Sequence, residues 1–175
     1  MELLLIDAMN LIRRIYAAQQ QRAQDPVEET LLHSQNAILK NIERFEASHI
    51  ACVFDGKGPT WRHELYGDYK ADRKPMPDEL GRALDTYTKR FESIGISCLL
   101  YPLYEADDVI ATLALKTSDR GGRVRIVSTD KGFMQLSRPT IELYHHFDKR
   151  LLNVDDVRQQ LDLEPHQLVD FLSLV

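Results

Sequence analysis

The sequence predicts an α/β domain: a mainly parallel central sheet flanked by helices. Two observations predict it. Short continuous apolar runs alternate along the chain with longer segments whose apolar residues recur at helical spacing. Four of those runs also end at or just before a carboxylate. Ligands of an open α/β sheet gather at that end of the strands.

Each element has its own signal. Residues 2–6 form an apolar run that stops at Asp7, consistent with a buried parallel strand. Leu11, Ile12, Ile15 and Tyr16 then recur at helical spacing. Asp25-Pro26 marks a helix start, and Leu31, Ile38, Ile42 and Phe45 beyond it fall near one face. Residues 49–54 read as a second strand ending at Asp55. From 56 to 76 the pattern fades into a polar segment punctuated by glycine and proline. At ~20 residues it exceeds most loops of a compact domain, and such loops are usually functional or disordered. A helix follows from about Pro77, carrying Leu80, Leu84, Tyr87, Phe91 and Ile94 on one face and stopped by Gly95. Residues 96–100 form a third strand and 106–120 a helix closed by Gly121-Gly122. Residues 124–127 and 141–144 give a fourth and fifth strand, and Asn153 and Pro165 start two more helices.

A chain of 175 residues fits one domain and can bury a core. No apolar run approaches the ~18 residues of a membrane helix, and the apolar start breaks at Asp7 with no basic leader. Cys52 and Cys98 sit in apolar runs and read as buried free thiols of a reducing cytoplasm. The net charge of −5 is the wrong sign for a nucleic-acid binder judged in bulk. Bound cations, however, reverse the field around a cluster of acids.

Where the acids fall is the informative feature. Asp7, Asp55, Glu105 and Asp130 follow four successive strands, and Asp107 and Asp108 lie in the first turn of the helix after Glu105. Scattered in sequence, they are expected to converge at one crevice. Like charges at short range raise one another's pKa, and a hard divalent cation resolves that conflict. Mg²⁺ or Mn²⁺ takes oxygen ligands and leaves room for phosphate oxygens, whereas zinc would call for histidine or cysteine. Such a site points to phosphoryl chemistry, in which the metal activates water and stabilises charge on phosphate. Any single acid here could equally be a helix cap; six together are hard to explain that way. In the loop, Tyr69, Lys70, Arg73 and Lys74 put three cations beside an aromatic ring, a pattern suited to phosphates and an unpaired base. A phosphatase with an aspartate nucleophile fits less well, since Asp7-Ala8-Met9 lacks a second aspartate and the basic loop has no role there. His145-His146 point to opposite faces of a strand and read as structural. Trp61 reads as packing, and Tyr101, Tyr104 and Phe147 as core or rim.

The strings LLIDAMNLIRR, VFDGKGPTWRHELYGDYKADRKPMPDEL, YEADDVIATLA and IVSTDKGFMQL carry a resemblance. The chain resembles the 5′-nuclease family: the amino-terminal nuclease domain of bacterial DNA polymerase I and the stand-alone flap endonucleases, above all the short exonuclease IX type. The resemblance covers essentially the whole chain and implies a PIN-like fold with a single catalytic core over 1–175 and an arch over about 56–90. It implies metal ligation by Asp7, Asp55, Glu105, Asp107, Asp108 and Asp130. Lys70 and Arg73 match the basic pair that contacts the scissile phosphate; Tyr69, Lys74, Arg13 and Arg14 are expected at the bound DNA. The implied activity is divalent-metal-dependent hydrolysis of DNA phosphodiesters at 5′ flaps, branches or single-stranded ends, by a cytoplasmic monomer with no membrane partner.

Two departures qualify it. Gly132 stands where the family commonly has the second aspartate of a D-x-D pair, and a later aspartate pair lies beyond DFLSLV, where this chain stops. Both fall on a second metal site, so one well-formed Mg²⁺ or Mn²⁺ site is expected. The family's helical hairpin, which grips duplex DNA and holds a monovalent cation such as K⁺, is expected to be missing. Leu174 and Val175 fall at the start of that cation site. The alternative is a catalytically weak DNA-junction binder of the same fold.

Overall fold

A computed structural model of the chain describes residues 1–73 and 75–174. Its centre is a six-stranded sheet in the order β3-β2-β1-β4-β5-β6. The strands are β1 (Glu2–Asp7), β2 (His49–Phe54), β3 (Ser97–Leu100), β4 (Arg123–Val127), β5 (Ile141–His145) and β6 (Arg150–Leu152). β1 to β5 are mutually parallel, and β6 runs antiparallel along β5.

The central strand explains the layering. Leu4, Leu5 and Ile6 are all fully buried, so β1 has no water-facing side and reads as a continuous apolar run. Side chains alternate along a strand. Leu4 and Ile6 therefore join one core with α1 (Ala8–Gln19), α2 (Pro26–Arg44) and α4 (Asp78–Ser93), through Ile12, Tyr16, Ile38, Tyr87 and Phe91. Leu5 joins the other core with α5 (Ala106–Ser118), α6 (Val154–Leu161) and α7 (Leu168–Ser173), through Ile110, Ala114, Val157 and Leu168.

The helices begin where the sequence supplies a cap. Asp25 accepts hydrogen bonds from the backbone N–H groups of Val27 and Glu28, and Asn153 does the same for Asp155 and Asp156. Gly95, at φ 85°, takes the left-handed backbone that ends α4.

Three elements differ from expectation. The polar stretch after β2 contains a short helix, α3 (Trp61–Leu65), too brief to show a period. β6 spans only three residues and escapes any pattern reading. The helix expected from Pro165 opens as a single 3₁₀ turn, Pro165–Gln167, before α7. Beyond Pro77 the segment assigned to the arch is α4, with Leu80, Tyr87 and Phe91 buried in the first core.

From β1 the chain moves outward to β2 and β3, then returns to place β4 on the other side of β1. This reversal is the switch point at which open α/β sheets bind ligands. Gly56 fixes the exit of β2 beside it. Its N–H donates to the Tyr104 carbonyl at 3.1 Å, and a methyl group there would stand 2.4 Å from the carbonyl oxygen of Tyr101. Gly56→Ala is therefore expected to cost roughly 1–3 kcal/mol, read as a lowered urea midpoint with an unchanged m value.

Candidate active site

The site is assembled at the carboxyl edge of the sheet. Asp7 closes β1 and caps α1, accepting from the Asn10 N–H at 3.1 Å. Its other oxygen accepts the Ser128 hydroxyl at 2.9 Å, and the Asp130 N–H donates to that same hydroxyl oxygen at 3.1 Å. Asn10 Oδ1 accepts from both the backbone N–H and the hydroxyl of Thr129. These bonds join the ends of β1 and β4 across the switch point. Asp55, just past β2, accepts the Ala106 N–H at 2.9 Å and so anchors the start of α5. Asp130 accepts the Gly132 N–H at 2.7 Å. Glu105 and Asp108 form the capping box of α5.

A cleft of about 290 Å³ is lined by Asp7, Asp55, Asp107 and Asp130 together with Arg13, Arg14, Lys70 and Arg73. Asp107 and Asp130 also line a neighbouring cleft of about 280 Å³ with Arg62, Asp108 and Gly132. Glu105 is buried at the boundary of the loop. It accepts from Lys70 Nζ at 2.7 Å and the Tyr69 hydroxyl at 3.1 Å, with Arg62 at 3.5 Å. Asp108 is gripped by both Arg62 Nη atoms, at 2.7 and 2.8 Å, and accepts the Trp61 indole N–H at 3.3 Å.

The expected acids thus divide in two. Asp7, Asp55, Asp107 and Asp130 share one cleft, while Glu105 and Asp108 turn to cations of the segment from α3 to Lys70. Among the described residues, no three carboxylate, imidazole or thiolate side chains stand close enough to form a ready-made metal cage.

The electrostatics record repulsion among these acids. Burial, with repulsion from Asp107 and Asp55, pushes Asp7 from 3.8 up to about 7 against the hydrogen bonds of Asn10 and Ser128. Burial, then Asp130 and Asp55, pushes Asp107 up to about 6. The Arg62 guanidinium holds Asp108 below the usual carboxylate range. Burial works against the Lys70 ammonium, yet Glu105 and Tyr69 raise it above its ordinary range.

Arg62 is the residue that the sequence left unseen. It lies over the Trp61 ring at 4.4 Å and pairs with an acid 46 positions away, a partnership with no local signal. Trp61, expected to pack, is exposed at 38% and instead braces Arg62. Tyr69 spends its hydroxyl on Glu105. Lys70 stands in the left-handed region, φ 58°, a backbone that L residues adopt at some cost. Leu174 is exposed at the end of α7. Lys74 and Val175 lie outside the described residues. His145 and His146 have separate neighbours, Asp148 and Asn41. Both cysteines are free thiols, and among the described residues no helix is long and apolar enough to cross a membrane.

A parallel sheet with carboxylates at successive strand ends, and a basic segment lying against them, defines the class: this is the 5′-nuclease, PIN-like fold. The T5 D15 protein co-crystallised with metal ions aligns with a TM-score of 0.75 at 18% identity, over 97% of this chain and 64% of that one. The catalytic core of Rad2 in complex with DNA substrate aligns at 0.57 and 14% identity, over 96% and 52%. The chain belongs to the family described as 5′-3′ exonuclease, N-terminal resolvase-like domain, whose model matches residues 2–162. Relatives named flap endonuclease Xni include that of Aeromonas salmonicida, 45% identical over 175 residues, and that of Colwellia psychrerythraea, 39% identical over 188. The chain aligns over 98% of its length with each and spans 66% and 65% of theirs.

The raised carboxyls make a stability prediction. A carboxyl whose folded pKa exceeds its unfolded value stabilises fully below the unfolded pKa and loses that contribution as pH rises. For Asp7 the loss runs between about 4 and about 7 and is worth on the order of 4 kcal/mol. In divalent-free buffer the melting temperature is expected to fall from pH 5 to pH 8. Asp7→Asn keeps a capping side chain and is expected to flatten the fall.

Proposed function

We propose that this chain is the catalytic core of a structure-selective DNA nuclease that hydrolyses phosphodiester bonds at 5′ flaps, branches or single-stranded ends with a divalent cation. The observation that carries the reading is the single cleft that four carboxylates line together with Lys70, Arg73, Arg13 and Arg14. Four acids alone would repel a phosphodiester; four cations alone would bind it without chemistry.

The residues fit a hard cation. The cleft offers carboxylate oxygens, and neither histidine nor cysteine lines it among the described residues. Two of the acids are held partly protonated by dryness and repulsion, a cost that a bound cation relieves. Asp7, Asp55, Asp107 and Asp130, with Glu105 and Asp108 beside them on the start of α5, would hold Mg²⁺ or Mn²⁺. When bound, the cation supplies Lewis-acid stabilisation of phosphate charge and a more acidic water. Gly132 gives the neighbouring cleft no carboxylate of its own, which favours one well-formed site.

The chain's own groups do the rest. Arg13, Arg14 and Arg73 draw the DNA backbone to the acids and fix its register. Lys70 is held beside Glu105 at the mouth of the cleft, where its ammonium can meet charge developing on a scissile phosphate. Tyr69 and Lys74 belong to the same loop and are proposed to contact the strand. Leu174 and Val175 are proposed to begin a K⁺ site. The protein would work as a cytoplasmic monomer.

Cleavage of a 5′-labelled flap substrate tests the reading. Asp107→Asn is expected to lower kcat by about 100-fold or more, with the Kd for DNA changed little, and chelation to abolish cleavage. Lys70→Ala is expected to lower kcat by roughly 10²–10³. Cleavage that survives Asp107→Asn and chelation would contradict the metal-site assignment, whereas flap binding without cleavage by the unaltered protein would leave a DNA-binding role.

A further inference from the structure

A larger cleft, about 960 Å³, lies beside the acid cleft and shares Arg14 with it. Its walls are the second half of α1, one face of α2 and the turn between β5 and β6. Nothing in the nuclease chemistry above requires it.

Its charge is one-sided. Arg14, Lys40, Arg44 and Lys149 line it from three different elements, and no carboxylate lines it among the described residues. Lys40 and Arg44 are four apart on one helix, where like charges repel. Lys149 stands at φ 52°, a conformation that glycine or asparagine would take more cheaply. Burial, then Arg44, Lys40 and Lys149, holds the His146 imidazole below its usual range. Four cations with no carboxylate among the described lining leave a one-sided positive field that draws an anionic ligand.

The cations are also pre-oriented. The Arg44 guanidinium lies 5.4 Å from the Tyr144 ring centre, and that of Arg14 lies 5.8 Å from the Phe147 ring centre. Such stacking braces each head group before any ligand arrives. Small side chains, Ala17, Ala18 and Ala37, form part of the wall, so a backbone can approach closely. Phe147 is partly exposed at the rim, a face on which a base can stack.

We propose that this groove is a second DNA-binding surface, holding the sugar–phosphate backbone of the strand that leaves the acid cleft past Arg14. The proposal rests on the nuclease reading. A strand fits better than a small anion because the cations are spread over three elements and the groove has more than three times the volume of the acid cleft.

Fluorescence anisotropy on a labelled flap substrate, with Ca²⁺ as the divalent cation, tests it across a salt series. The combined variant Lys40→Ala, Arg44→Ala and Lys149→Ala is expected to bind at least about 10-fold more weakly. Its plot of log K against log salt should be shallower by about 2, the signature of lost phosphate contacts. Lys40→Arg with Lys149→Arg is expected to keep both values, and matched melting temperatures show that the variants fold. Affinity and salt slope unchanged in the triple variant would overturn the groove, as would a mononucleotide that competes as well as an oligonucleotide. Asp107-dependent cleavage is a separate readout, so the groove can fail while the nuclease reading stands.

Discussion

The constraint on which this structure turns is repulsion among carboxylates that the sheet forces together. Parallel strands that start together also end together, so whatever follows each strand meets at one edge. Here that is Asp7, Asp55 and Asp130, with Asp107 one turn into α5. In water these acids would ionise near pH 4. At the edge of two apolar cores they cannot all do so, and Asp7 and Asp107 hold protons to about 7 and about 6.

The surrounding architecture manages that repulsion. Ser128, Asn10 and Thr129 tie the ends of β1 and β4 together, and Ser128 and the Asn10 N–H give Asp7 two hydrogen bonds. The segment after β2 contributes cations in an order that matters. Arg62, on α3, takes Asp108 in a two-pronged grip, and Lys70 takes Glu105. Neutralising these two acids leaves the four that line the cleft for an added cation. The same segment thus serves as brace for α5 and as the basic face of the cleft. Its position follows from Gly56, whose lack of a side chain lets β2 exit against Tyr101.

Much of this was legible in the sequence. Apolar runs, four of them bounded by acids, gave five parallel strands, because a strand buried in a sheet core reads as apolar and ends where a polar group appears. Asp25, Gly95 and Asn153 gave helix boundaries, because caps act within four residues. β6 and α3 stayed hidden because three and five residues cannot express a period. The acids were visible as a set, but their division was not. Whether Glu105 and Asp108 face the cleft or turn to Lys70 and Arg62 depends on contacts 35 and 46 positions apart, which no local pattern encodes. The basic groove between α1 and α2 was hidden for the same reason, since Arg14, Lys40 and Lys149 become neighbours only in the fold.

The central claim is that crowded, half-protonated acids are what a divalent cation neutralises. Calorimetric titration of Mn²⁺ at pH 6, in buffers of different ionisation enthalpy, measures this directly as protons released per ion bound. The account predicts saturable binding with release of roughly one to one and a half protons near pH 6 and almost none at pH 9, where the acids are already ionised. Binding heat that does not depend on the buffer at pH 6, or no saturable binding at all, would contradict it.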